Sequence, residues 1–536
     1  MADAGPLTLD PVPATITEAS AAASSAASSR SSRAVLCAAA LIIVAGGAIR
    51  FAALSTSIWF DESVSVRDVS GSFGQMLHKV VNHEASPPFY FICLWLWRHL
   101  VGSTAVELRS LSALAGTMTI ALAFYVARRR IGQRAALVLA VCVAVSPVLV
   151  YYSTEMRMYG LLVLITGVGF EAFLRASESP RPRNLSIWAA ASILAVWTQY
   201  YAALAVAPEA ALLIALAWKQ RPRSRGTLVA VGGVALAGLP LIYLVPYQAR
   251  HAFAYGGPLL SSVWHRIPTS IHVDSTLGAV AQGLVVGPGG PARALLTLVI
   301  LYVGVVVAVG LLLHRPRITK GQLIRGVCLI APSLLAVETL VYLHVLVEGR
   351  YLLSLWLPVG LAASYALASA AAGRLGLGLA GVLVCIWVGV GVVSLAVPRF
   401  GARDDTLGAA RSLGVASTDR LIAINEPWDV VTFEQYRPQT SAGTHPVVRV
   451  RELDVVAMPL WAEPAPAERQ RPSSLGVGVL PKGLALAQVI RDPTFLVERF
   501  VASTPVSIRV DGRGSAFQSS YWRFLDEPAG GRMGDL

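Results

Sequence analysis

Charge is what this sequence has least of. Only 14% of its 536 residues are Asp, Glu, Lys or Arg, where a soluble globular chain carries about a quarter. A deficit of that size excludes a surface that faces water throughout. Cysteine is scarce too: Cys37, Cys93, Cys142, Cys328 and Cys385 all fall in apolar stretches, and the polar C-terminal region has none. That region therefore holds neither a disulfide framework nor a Cys-based zinc site. Also missing is a basic patch interleaved with aromatic residues, so the net charge of +13 does not point to nucleic acid. The Lys and Arg residues sit instead in short clusters between apolar runs, where they act as positive-inside topology signals.

What the chain has in abundance is apolar length. Hydrophobic residues make up 55% of it, in runs of about twenty, enough to cross a hydrocarbon core of about 30 Å. Such runs must be helical, because lipid offers the backbone no hydrogen-bond partners. Residues 1–33, rich in Ala, Ser and Pro, read as a disordered cytoplasmic tail. The first span covers 34–54, held inside at its start by Arg30 and Arg33. A first outer loop, 55–107, follows. Its apolar part, 87–101, is short and rich in Trp and Tyr, and a full crossing there would put Arg128-Arg129-Arg130 outside. It is therefore expected to lie along the outer surface as an interfacial helix.

From there the alternation runs through a second span at 108–127 and a third at 134–152. Further spans turn at Gln199-Tyr200-Tyr201, at an outer loop over 246–290 and at Glu348-Gly349-Arg350, ending near 397. The expected fold is a polytopic α-helical membrane protein with about eleven spanning helices. The transmembrane domain occupies 34–400, and 401–536 forms a small extracytoplasmic α/β domain. In that domain Thr406–Leu413 and Trp428–Gln435 read as helices, and Arg420–Ile424 and Val447–Met458 as strands. The N-terminus is cytoplasmic.

Charged and aromatic residues gather at the outer ends of these spans. Asp61-Glu62 follow Trp59-Phe60. Glu155, Arg157 and Tyr159 belong to the run Tyr151–Tyr159. Arg109 opens the second span, and Arg350-Tyr351 lie between the ninth and tenth. Ionisable groups at membrane depth are costly and default to a functional reading. Asp61 and Glu62 suit deprotonating or orienting a hydroxyl, or holding a divalent metal. Arg109, Arg157 and Arg350 suit a phosphate. A carboxylate base with arginines that receive a departing phosphate is what sugar transfer from a lipid phosphate requires. The outer face has no nucleotide supply, so a lipid-linked donor is the natural one.

The run Trp59-Phe60-Asp61-Glu62, then Pro87-Pro88-Phe89-Tyr90, Glu107–Leu114 and Tyr151–Tyr159 together resemble the N-terminal module of GT-C glycosyltransferases. The branch is that of the bacterial relatives of protein O-mannosyltransferases and of the lipid A aminoarabinose transferase. Arg350-Tyr351-Leu352-Leu353 followed by Pro358 resembles a later segment of the same branch. The resemblance implies a polyprenyl-phosphate sugar as donor, Asp61 as catalytic base or acceptor-orienting group with Glu62 in support, and a functional role for Arg109. It also implies a substrate or lipid-phosphate site drawn from Arg109, Glu155, Arg157, Tyr159, His83, Arg350 and Tyr351. Relatives often place His directly before the Pro pair; here Glu84-Ala85-Ser86 separate His83 from Pro87. No cofactor is expected, although a divalent ion at Asp61-Glu62 remains open. The acceptor is a cell-wall polysaccharide, a lipid glycan or a protein. The competing readings are a transporter or flippase, for which Glu338 is the one intramembrane candidate, and a non-catalytic scaffold. No clear internal repeat supports the transporter.

Overall fold

The computed structural model describes residues 14–219, 225–251, 349–368 and 373–396, a few positions within 326–339, and 405–534 apart from 426–428, 443–446, 459–481, 493 and 511–522. The eighth expected span, part of the ninth, most of the 246–290 loop, Glu338 and Glu348 lie outside the described residues. Side chains are described from Ser32 onward.

The apolar runs are helical. Helix α1 (Ala14–Ala52) is followed by three short helices, α2 (Phe60–Asp68), α3 (Phe73–His83) and α4 (Phe89–Val101). Next come α5 (Ala105–Arg130), α6 (Gln133–Val145), α7 (Pro147–Ser153), α8 (Tyr159–Glu178), α9 (Pro182–Thr198), α10 (Ala203–Lys219) and α11 (Arg225–His251). A 3-10 turn over Gly349–Leu355 leads into α12 (Trp356–Ala368), and α13 (Gly373–Ala396) closes the apolar part. Among the described residues, seven helical segments are long and apolar enough to cross a membrane, or eight if the bent pair α6–α7 counts as one span. α5 and α8 are more than half buried along their apolar windows, whereas α11 is only 11% buried. Large side chains on α11 such as Val229, Ile242 and Tyr243 stand out from the protein, as helix surfaces that meet lipid do.

Three expectations change. The backbone is helical from Ala14, so the segment 14–33 extends α1 instead of forming a disordered tail; its run of alanines, the best helix formers, is the local reason. The third span breaks by 56° between Val145 and Pro147. Pro147 has no N–H to give to Val143, and Arg50 of α1 supplies the missing donors, reaching the carbonyls of Val143 at 2.9 Å and Ala144 at 3.1 Å. The tenth span opens as the 3-10 turn that carries Arg350 and Tyr351. Residues 87–101 carry α4, whose 13 residues span about 20 Å at 1.5 Å per residue and bury Tyr90, Phe91 and Leu94 against its neighbours.

After residue 404 the described residues form one six-stranded sheet with two helices, α14 (Thr406–Ser412) and α15 (Asp429–Tyr436). Its strands are β1 (Arg420–Ile424), β2 (Ser441–Ala442), β3 (Val447–Ala457), β4 (Ala485–Arg491), β5 (Leu496–Arg509) and β6 (Arg523–Glu527), in the order β2-β6-β1-β3-β5-β4. Only β1 and β3 run parallel. β1 is buried along its whole length. Ile422 and Ile424 pack with Phe433 of α15 and Leu525, while Leu421 and Ala423 pack on the other face with Leu453, Val455 and Phe500. A run buried on both faces is why β1 lacks the polar alternation of a half-exposed strand.

Candidate active site

The site is assembled at the start of α2. The connection from α1 to α2 has no repetitive structure, and Arg109 of α5 ties it down. Arg109 donates to the carbonyls of Leu54 (2.8 Å), Thr56 (2.5 Å) and Ser57 (2.8 Å). It also forms a two-point pair with Glu62, from Nε to Oε1 at 2.8 Å and Nη2 to Oε2 at 2.5 Å. Both side chains are fully buried. The Glu62 carboxylate accepts two further bonds, from the backbone N–H of Met156 (2.9 Å) and of Trp59 (3.3 Å).

This corrects two expectations. Arg109 is not placed to receive a lipid phosphate, and Glu62 is not placed to act on a hydroxyl. Each satisfies the other, and removing either would leave a buried charge uncompensated. Their role is to hold the loop that precedes Asp61 and the α7–α8 turn that contains Met156. The idea of a metal held by the acidic pair also loses a ligand, because both Glu62 oxygens are engaged. Among the described residues no cluster of three or more His, Cys, Asp or Glu side chains is grouped to hold a metal ion.

Asp61 differs from its neighbour because one step along a helix turns a side chain by about 100°. Its side chain is 22% exposed and faces two arginines. Arg350 Nη1 lies 3.4 Å from Asp61 Oδ2, and Arg157 Nε lies 4.0 Å from the same oxygen. Neither contact is a tight fork. Arg157 is anchored on its other side by Glu84 Oε1 at 3.0 Å, Ser65 Oγ at 3.2 Å and the Asp61 carbonyl at 3.4 Å, and it lies over the Phe91 ring. Burial works against the charge of Arg157, but Glu84 and Asp61 outweigh it and raise its pKa above the ordinary arginine value. Arg350 sits over the rings of Tyr159 and Tyr351 at 5.8 and 5.6 Å. Tyr351 in turn stacks on Tyr201, with ring centroids 4.6 Å apart and planes within 3°.

Of the residues proposed from sequence, the structure thus brings together Asp61, Arg157, Arg350, Tyr159 and Tyr351. Glu155 is fully buried beside them. His83, at the end of α3, is grouped with Arg67, His78 and His251 instead; burial first, and then those three charges, lower its pKa. The sequence analysis missed Glu84, Ser65, Phe91 and Tyr201. Glu84 carried a readable signal, an acidic residue three before the Pro pair. Ser65 carried a weaker one, since it lies four residues after Asp61 and so on the same helix face.

The family model of the dolichyl-phosphate-mannose-protein mannosyltransferases matches residues 85–244. No curated protein matches the chain. Among solved structures it is similar to ArnT from Cupriavidus metallidurans bound to undecaprenyl phosphate, at 13% identity and a TM-score of 0.36 over 87% of this chain and 98% of that one. It is also similar to the Archaeoglobus fulgidus oligosaccharyltransferase, at 13% identity and a TM-score of 0.37 over 67% of this chain, and it spans about half (54%) of that enzyme's length. Arabinosyltransferase EmbB from Mycobacterium smegmatis aligns at 11% identity and a TM-score of 0.33 over 84% of this chain and 46% of its own. The family match takes in α4 to α10 and most of α11, with Arg109, Glu155, Arg157 and Tyr159 inside it, and over that stretch the chain is similar to the dolichyl-phosphate-mannose-protein mannosyltransferases.

Proposed function

We propose that the chain is a GT-C membrane glycosyltransferase that moves one sugar from a polyprenyl-phosphate donor to an acceptor outside the membrane, with inversion at the anomeric carbon. The observation that carries this reading is Asp61. It is a part-exposed carboxylate with Arg350 at 3.4 Å and Arg157 at 4.0 Å from one of its oxygens, one acidic and two basic side chains at one opening. In the reaction, Asp61 accepts the proton of the acceptor hydroxyl as its oxygen attacks the sugar carbon. The bond from that carbon to the phosphate oxygen breaks, and the phosphate leaves with its charge facing Arg350 and Arg157. A single displacement inverts the centre.

The topology that fits has about eleven spans, a cytoplasmic N-terminus, a catalytic transmembrane module over 34–400 and an extracytoplasmic region over 401–536. The donor sugar is a hexose or pentose in the manner of the mannosyltransferases. The acceptor is a cell-wall polysaccharide, a lipid glycan or a protein. The test is consumption of a panel of radiolabelled polyprenyl-phosphate sugars by purified wild type and by Asp61→Asn. Transfer or slow donor hydrolysis by wild type alone supports the reading and names the sugar. Equal lipid-phosphate binding by both, with no donor consumed by either, would favour a transporter.

A further inference from the structure

The loop before Asp61 is held from two sides, and only one of them is accounted for above. Residues 54–59 lack repetitive structure, so their backbone polar groups need partners from elsewhere. Arg109 takes three carbonyls. On the other side stands the chain after residue 404. The Ile58 N–H donates to the Tyr436 hydroxyl at 2.7 Å, and the Ile58 carbonyl accepts from Thr406 Oγ1 at 3.1 Å. Leu407 N–H donates to Ser57 Oγ at 3.1 Å. Further along α2, the Thr432 and Ser63 hydroxyls meet at 3.3 Å. Tyr436 is 2% exposed, and Thr406, Thr432 and Ser63 are fully buried. These are interior contacts.

The anchor behind them is rigid. Arg437, the residue after Tyr436, bonds Glu527 of β6 at 2.8 Å and the carbonyls of Ala410 (2.8 Å) and Gly414 (2.7 Å). It therefore locks α14 and α15 to each other and to the sheet. A connected path runs from β6 through Arg437 and Tyr436 to Ile58, three residues from Asp61.

We propose that α14 and α15 position Asp61, with Tyr436 and Thr406 as the positioning residues. The inference deepens the glycosyltransferase reading and rests on it for the role of Asp61. On this account the C-terminal sheet is the outer wall that sets where the base stands relative to Arg157 and Arg350. Its contribution goes into the rate of transfer and not into holding the donor, because neither Tyr436 nor Thr406 touches the arginine side of the site.

The test uses the full-length protein in lipid nanodiscs with Tyr436→Phe and Thr406→Val, each of which deletes a hydroxyl and little volume. Hydrogen exchange of peptides covering 54–63 is expected to quicken in both variants. With a donor that wild type uses, kcat is expected to fall about tenfold to a hundredfold, as for a displaced reacting group, while KM for the lipid donor stays within about twofold. Unchanged exchange over 54–63 in both variants would overturn the proposal. So would faster exchange with kcat intact, which reduces the contact to simple docking. If wild type consumes no donor, the glycosyltransferase reading fails on that result. The exchange data then still decide whether α14 and α15 hold the Asp61 loop.

Discussion

Two clusters of arginines and carboxylates among the described residues, one in the C-terminal sheet and one at the start of α2, are built to opposite ends. In the sheet, Arg420 bonds Glu527 at 2.6 Å, Asp454 at 3.0 Å and Glu452 at 3.1 Å, while its remaining donors meet the carbonyls of Leu413 and Gly414. Arg437 and Arg499 complete the set from either side, at 2.8 Å to Glu527 and 2.7 Å to Asp454. Arg420, Arg437, Asp454 and Glu527 are fully buried. Around Asp61 the contacts are 3.4 and 4.0 Å, and both Asp61 and Arg350 keep about a fifth of their side-chain surface open. A saturated cluster has nothing left to offer a ligand and serves the fold. One with long contacts and exposed atoms is open to a ligand. The Glu62–Arg109 pair, one residue away from Asp61, belongs to the first kind.

This contrast can be broken by substitution. The largest effect is expected at Asp61: changing it to Asn should lower sugar transfer by about 10²- to 10⁴-fold, the usual worth of a general base, with an unchanged melting temperature. A matching loss of melting temperature would move Asp61 to the structural class. Arg109→Ala should do the reverse. It strands the buried Glu62 and should cost about 3–5 kcal/mol of stability, read as lower folded yield and an earlier thermal midpoint; a variant as stable as wild type would show that the pair holds nothing.

Arg350→Ala is expected to weaken binding of an undecaprenyl-phosphate probe by roughly tenfold to a hundredfold, the range for a charge-assisted bond. Its stability should barely move, because its contact to Asp61 is loose and part-exposed. Unaltered affinity would confine Arg350 to packing against Tyr159 and Tyr351.

The smallest effect concerns His83. Its pKa in the fold lies below the unfolded value of about 6.5, so on acidification the unfolded chain takes up the proton first. Stability is therefore full above about pH 6.5 and declines as pH falls from there towards the folded pKa. His83→Gln should flatten that decline in thermal unfolding followed from pH 7.5 to 5.5. A slope identical to wild type would assign the acid sensitivity to other groups.

Much of this was readable in advance, for identifiable reasons. The helices were legible because lipid leaves an apolar run of twenty residues no other way to satisfy its backbone. The positions of β1, β3, α14 and α15 were legible because each is a short run with its own burial pattern. Asp61, Arg157 and Arg350 stood out as charges beside apolar helix ends. The break at Pro147 was a missed local signal, since Val143 had to lose its i+4 donor there. The partner of Arg109 was not legible, because Glu62 lies 47 residues away and the adjacent Asp61 has the same chemistry.

By itself, then, the sequence determined the solvent this protein lives in, the helical state of most of its length and the inventory of charges available at the ends of its spans. These are local properties, set by composition and by what each backbone group can bond to within its own segment. Only the tertiary structure decided which carboxylate is sealed and which is open, that His83 is grouped with Arg67, His78 and His251, and that two helices more than 300 residues downstream close on the Asp61 loop. Those choices depend on which face of α2 meets α5 and which meets α15, and on packing between segments that no local pattern records.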